Sequence, residues 1–177
     1  MKYFSLCLIV LLIGLGACKT PLPLATVPKV ELAKYAGTWY EIASFPMKFQ
    51  KNCACTTADY TLTDKGYVIV KNRCQDAKNG NIKKIEGKAF VGKEGDNAKL
   101  KVQFFPPFKA PYYIIALDSA EYYYAAVGAP DRDYLWILCR ESVMDSTLYQ
   151  SITDSVRKLG FDTKRLKMTP QGCNRNR

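Results

Sequence analysis

The chain contains no histidine. That absence excludes Ser-His-Asp and Cys-His catalysis, and with them every histidine-ligated metal or haem centre. No apolar run reaches the roughly twenty residues a membrane-spanning helix needs, since the longest, Tyr3 to Leu15, stops at about thirteen. No internal repeat and no low-complexity segment occurs. What is present is a chain of 177 residues, 48% apolar, with 12 tyrosines, 8 phenylalanines, and glycine and proline at short intervals. That length makes one ordinary domain plus an N-terminal appendage, and the aromatic, turn-rich composition favours many strands over a helical bundle.

Residues 1–17 read as a signal peptide. Lys2 supplies the positive charge ahead of the apolar run, and Leu15-Gly16-Ala17-Cys18 resembles a bacterial lipobox, where cleavage before Cys18 accompanies lipidation of its thiol and new amino group. Several acyl chains would hold the mature chain on a membrane. Lys19 after the cysteine implies the outer membrane. Residues 18–29, with Pro21, Pro23 and Pro28 among small residues, are expected to form an extended tether, leaving residues 30–177 as the folded domain. The formal charge is +10. An exported chain rarely meets nucleic acid, so no such partner is expected, and the charge suits anionic lipid head groups.

Two stretches carry the strongest signal. In Tyr35-Ala36-Gly37-Thr38-Trp39-Tyr40-Glu41-Ile42-Ala43-Ser44-Phe45, strand periodicity puts Trp39, Glu41, Ala43 and Phe45 on one face, just after Gly37, which lets the backbone turn in closely. In Gly128-Ala129-Pro130-Asp131-Arg132-Asp133-Tyr134-Leu135-Trp136-Ile137-Leu138-Cys139-Arg140, an Asp-Arg-Asp-Tyr turn enters a strand that ends on arginine. A glycine and tryptophan opening the first strand, the Asp131-Arg132 turn and Arg140 closing the last together resemble the lipocalin family. The likeness is to its bacterial outer-membrane lipoproteins and their apolipoprotein D relatives, and it spans roughly Val30 to Pro170.

Between those stretches the turns fall at short spacing. Thr57 to Thr63 and Tyr67 to Arg73 flank Asp64-Lys65-Gly66, a hairpin signal. Lys84 to Val91, Ala98 to Phe105, Tyr112 to Leu117, Tyr122 to Val127 and Tyr134 to Arg140 bring the count to eight strands. Eight antiparallel strands with no other covering layer must close, so the expected fold is all-β: an eight-stranded up-and-down lipocalin barrel. One C-terminal helix, capped by Asp145 or Ser146, carrying Leu148, Ile152, Val156 and Leu159 and stopping at Gly160, should pack outside. A ninth short strand near Lys164 to Met168 is possible.

The resemblance implies that Trp39 closes one end of the barrel under Arg140, in a cation–π contact of about 0.5–2 kcal/mol. Counting back by twos from Arg140 puts Leu138, Trp136 and Tyr134 on the inner face. Candidate ligand contacts are therefore Trp136 and Leu138, Phe45 and Phe104 by alternation, and Tyr60 and Asn72, which resemble positions apolipoprotein D uses to line its cavity; Tyr113 is a further candidate. Glu41, on the tryptophan's face, would either meet a ligand polar group or pair with a rim lysine, the second being favoured.

Seven cysteines, less Cys7 in the leader and Cys18, leave Cys53, Cys55, Cys74, Cys139 and Cys173. Parity places Cys139 under the helix as a buried free thiol. Symmetry about the Lys65 turn sets Thr56 opposite Cys74, so neither Cys53 nor Cys55 fits Cys74 without a bulge, and spacing leaves three connectivities open. The resemblance implies Cys53 with Cys74 and Cys55 with Cys173. It also implies a cavity for fatty acids or lysophospholipids, in lipid storage or transport for the envelope, with no cofactor, metal or catalytic residue and a possible homodimer across the open end. The rival expectations are an envelope enzyme using Glu41 on lipids or pigments, and a structural barrel without ligand.

Overall fold

The computed structural model describes residues 23–92, 95 and 97–173. The leader and Cys18 lie outside the described residues. After a short helix α1 (Leu32–Tyr35), eight strands follow in order: β1 (Gly37–Ser44), β2 (Cys53–Leu62), β3 (Tyr67–Asp76), β4 (Ile82–Val91), β5 (Lys99–Gln103), β6 (Ala110–Leu117), β7 (Tyr124–Gly128) and β8 (Leu135–Cys139). Each pairs antiparallel with the next, and β1 pairs with both β2 and β8, so the sheet closes on itself. Helix α2 (Ser146–Lys158) and a two-residue strand β9 (Lys167–Met168), added to β1 at Ala43 and Ser44, complete the domain.

Up-and-down order sends alternate loops to opposite ends. The β1–β2, β3–β4, β5–β6 and β7–β8 loops form a mouth, and α1 with the remaining loops forms a base. Two apolar clusters follow from the period-two alternation of the strands. One fills the barrel, with Trp39, Tyr60, Val70, Leu100, Ile114, Val127 and Leu138 among its buried members. The other lies between wall and helix, where Ile152 and Val156 of α2 cover Leu135, Ile137 and the free thiol of Cys139. Asp145 caps the helix by accepting from the Leu148 amide at 3.0 Å, and Gly160 follows its end at φ +91°.

Three bulges interrupt that alternation, and those in β1 and β6 move side chains from one cluster to the other. In β1 the register against β8 shifts between Glu41 and Ala43, so Phe45 lands outside, its ring 6.3 Å from that of Phe161. In β6 a shift between Ile114 and Ala116 leaves Ile114 and Leu117 inside and Ile115 outside. In β2 the hairpin runs as its turn symmetry dictates, Tyr60 opposite Val70 and Thr57 opposite Arg73, until Cys55 at φ +50° adds one residue. That residue sets Cys53 opposite Asp76, within reach of Cys74 beside it. The bridges are Cys53–Cys74 and Cys55–Cys173.

Residues 23–29, expected as part of the tether, make contacts with the domain. Leu24 is buried in the outer cluster, the Val27 amide donates to the Ile114 carbonyl at 3.0 Å, and Val30 is fully buried. The stretch before residue 30 therefore packs in part on the barrel, Leu24 with the outer cluster and Val27 with the inner one.

Candidate functional site: the barrel lumen

The base of the lumen is closed by one interlocked group. The Trp39 indole NH donates to the Tyr35 carbonyl at 2.8 Å, and the Arg140 guanidinium lies 3.9 Å from the centre of the Trp39 ring. Gly37 suits the turn there, its φ being +94°, with a Cβ placed only at van der Waals contact, 3.4 Å, from an Arg140 nitrogen. Above this plate the Tyr112 hydroxyl joins those of Tyr35 at 2.8 Å and Tyr60 at 2.7 Å. Burial pushes the Tyr35 and Tyr112 phenols well above their ordinary range and Tyr60 to about 12. All three stay neutral and serve as a hydrogen-bonded floor rather than as acids or bases.

Higher in the barrel the inner face is less filled. Ala58, Asn72, Phe104 and Trp136 are only half buried, and Ile85, register partner of Asn72, is more open still. Phe104 leans on Gly87, where a Cβ would approach its ring to 2.6 Å. Trp136 stacks on Tyr134 with centroids 6.0 Å apart, and its NH donates to the Gln50 side-chain oxygen at 3.2 Å. The Asn72 Oδ1 is buried and, among the described residues, has no hydrogen-bond partner. A buried acceptor without a donor is costly, and a bound molecule or water would relieve it.

Glu41 is buried between the mouth loop and the C-terminal tail. Its carboxylate accepts from Thr169 Oγ1 at 2.6 Å, Gln50 Nε2 at 2.8 Å and Ser44 Oγ at 3.0 Å. The expected lysine partner is corrected: three neutral donors hold Glu41, and no cation among the described residues pairs with it. Gln171 completes this seam, donating to the Glu41 and Thr56 carbonyls where β1 and β2 separate.

The other expected site residues divide cleanly. Trp136, Phe104, Asn72, Leu138 and Tyr60 face the lumen, Leu138 and Tyr60 being fully packed into its lower part. Phe45 and Tyr113 do not: both belong to the outer cluster, for the bulge in β1 carries Phe45 outward and Tyr113 is the outward neighbour of the lumenal Tyr112. Counting inward from Ile114 would have found Tyr112. Gln50 lay in a loop, where strand parity says nothing. Asp131 and Arg132 build the turn into β8, where the Asp131 carboxylate accepts from the Asp133 amide at 3.0 Å and Arg132, at φ +63°, donates to the carbonyl of Leu159, the residue just past α2, at 3.3 Å. Two surface clefts, of about 370 and 360 Å³, flank the tail at Cys173 and at Met168, outside the lumen. Among the described residues no group of acidic or cysteine side chains is arranged to hold a metal ion.

A closed antiparallel barrel with a plugged base, an open mouth and a helix on its wall defines a small-molecule-binding type of β-barrel. Residues 30–171 match the family model described as a lipocalin-like domain, and the chain belongs to the lipocalin family. It is 39% identical over 153 residues to the outer membrane lipoprotein Blc of Citrobacter freundii, covering 85% of this chain and 86% of that one. It is 31% identical to apolipoprotein D of Mus musculus, covering 89% and 84%. Among solved structures, insecticyanin from the tobacco hornworm Manduca sexta superposes with a TM-score of 0.65 at 21% identity, covering 81% and 82%.

Proposed function

We propose that this protein is a lipid-anchored lipocalin of the outer membrane, binding one fatty acid or lysophospholipid per barrel for lipid storage or transport in envelope maintenance. The observation that carries the reading is the division of the lumen: a packed floor of neutral phenols below, and above it half-exposed Phe104, Trp136 and Ile85 around the unpartnered Asn72 oxygen. An acyl chain laid along those side chains gains about 0.8 kcal/mol per buried methylene, and the head group stays at the mouth. The mechanism is burial, with no bond made or broken. The lipobox-like Leu15-Gly16-Ala17-Cys18 and the likeness to outer membrane lipoproteins support the anchor and the location.

The alternative of an enzyme using Glu41 is disfavoured because its carboxylate is engaged by three donors of the chain itself. Displacement of a fluorescent fatty acid tests the reading: saturation at about one per barrel, with quenching of Trp136 emission, is expected. No displacement by any acyl lipid, and no co-purified adduct in native mass spectrometry, would leave a structural barrel without ligand.

A further inference from the structure

The two ends of the barrel differ in chemistry. At the mouth, two loops present Phe49, Phe105 and Phe108, whose exposures of 69%, 69% and 77% are exceptional for phenylalanine. Phe49 lies in the β1–β2 loop and the other two in the β5–β6 loop, with the β3–β4 loop between them around the rim. The same side carries Lys48, Lys51, Lys78 and Lys84, all exposed and none paired with a carboxylate among the described residues. Asp76, the acid of that sector, is already neutralised by Lys83 at 2.6 Å. The described base is the reverse on balance, with Glu31, Asp64, Asp118, Glu121, Glu141 and Asp145 against Lys29, Lys34, Lys65 and an Arg140 committed to Trp39.

We propose that the aromatic and lysine rim over the β1–β2, β3–β4 and β5–β6 loops docks mouth-down on an anionic bilayer surface, the phenylalanines entering the head-group boundary. Protruding apolar side chains ringed by lysines fit an interface that is apolar below and anionic at its surface. A second copy fits poorly, because mouth-to-mouth contact would face one lysine set with another. The acidic base orients the barrel further, since the same field repels it. The fourth mouth loop, holding Asp131 and the Arg165-paired Asp133, would tilt away from the surface. For its purpose the docking rests on the lipid-binding reading above, as it would let an acyl chain pass between bilayer and lumen without crossing water.

The test uses the full chain with vesicles of phosphatidylcholine and phosphatidylglycerol carrying brominated acyl chains, which quench tryptophan at short range. F108W is compared with V143W, on the base and 74% exposed, each against the parent protein. The expected result is a blue shift and quenching of F108W at least about threefold greater than for V143W, weakened by salt, by phosphatidylcholine alone and by K48E/K51E/K78E. Equal quenching at both positions, or a vesicle-bound chain with F108W unquenched, would overturn the proposal. So would a concentration-dependent blue shift without vesicles, which would put a second copy on the rim. Quenched F108W without fatty-acid displacement would leave the docking intact and remove the carrier function instead.

Discussion

Arg140 covers Trp39 and is itself held by the chain around it. Its guanidinium donates to the carbonyls of Lys34, Tyr35, Ala36, Thr38 and Tyr122 at 2.6 to 3.3 Å, so one side chain binds the entry to β1 to the β6–β7 loop while capping the indole. Partial burial lowers the Arg140 pKa from its usual value, yet it remains a cation throughout the physiological range.

Arg140→Lys should therefore not be conservative. An ammonium cannot reach the same set of carbonyls while stacking flat on a ring, so a loss of about 2–4 kcal/mol is expected from the charged hydrogen bonds and the cation–π contact together. Urea unfolding would measure it. Acyl-lipid affinity, set in the upper lumen, should change far less.

Asn72 should separate ligand classes. Replacing it with leucine removes an unpartnered buried acceptor, so stability should hold or rise slightly. A lysophospholipid can donate a glycerol hydroxyl to that oxygen, whereas a fatty-acid carboxylate cannot. Asn72→Leu is expected to weaken lysophospholipid binding about tenfold, the equivalent of roughly 1.4 kcal/mol, and to leave fatty-acid binding nearly unchanged. Competition titrations with both lipids check it.

Gly87→Ala tests how closely the wall meets the lumen. The added methyl would stand 2.6 Å from both the Gln103 carbonyl oxygen and the Phe104 ring, so the ring must turn further into the cavity and the β4–β5 pairing must yield. Overpacking of this kind costs about 1–3 kcal/mol, and bound acyl lipid should fall with it. Thermal unfolding and displacement measured on one sample would report both effects.

Strand order, closure, the outer helix and the Trp39–Arg140 plug were legible because each rests on periodicity or on a motif of fixed spacing. The departures have different causes. An additional residue in β1 sends Phe45 outward without altering composition or hydropathy, and Tyr113 was placed on the wrong side of a strand whose lumenal residue is Tyr112. In β2 the hairpin arithmetic did require a bulge before Cys74 could find a partner, and Cys55 supplies it. The Gln50 and Thr169 contacts to Glu41 join segments distant in sequence, and no local pattern announces them.

The two disulfides should not contribute equally. Cys53–Cys74 closes 21 residues and Cys55–Cys173 closes 118, so the loss of unfolded-chain entropy amounts to about 3 and about 5 kcal/mol respectively. The Cys55–Cys173 bridge also secures the tail whose Thr169 and Gln171 serve the Glu41 seam. Cys55→Ala/Cys173→Ala should lower the unfolding midpoint more than Cys53→Ala/Cys74→Ala, and should free the mouth loop at Gln50, visible as faster amide exchange there.

The phenol floor sets the alkaline limit of the fold. Tyr35, Tyr60 and Tyr112 have folded pKa values raised above the ordinary tyrosine value of about 10, chiefly by burial. A raised folded value favours the protonated native form, so this contribution is unchanged below about pH 10. It alters only above that: the unfolded chain ionises there while the folded one does not, so stability falls steadily as pH rises from about 10 through the folded values. Absorbance titration near 295 nm should show most of the 12 tyrosines ionising first, followed by a late step coincident with loss of β-sheet circular dichroism. Tyr112→Phe removes the central hydroxyl that both neighbours share, which should cost about 1–3 kcal/mol at neutral pH and reduce the amplitude of the late step. A late step of unchanged amplitude in that variant would show that the floor is not what holds the barrel against base.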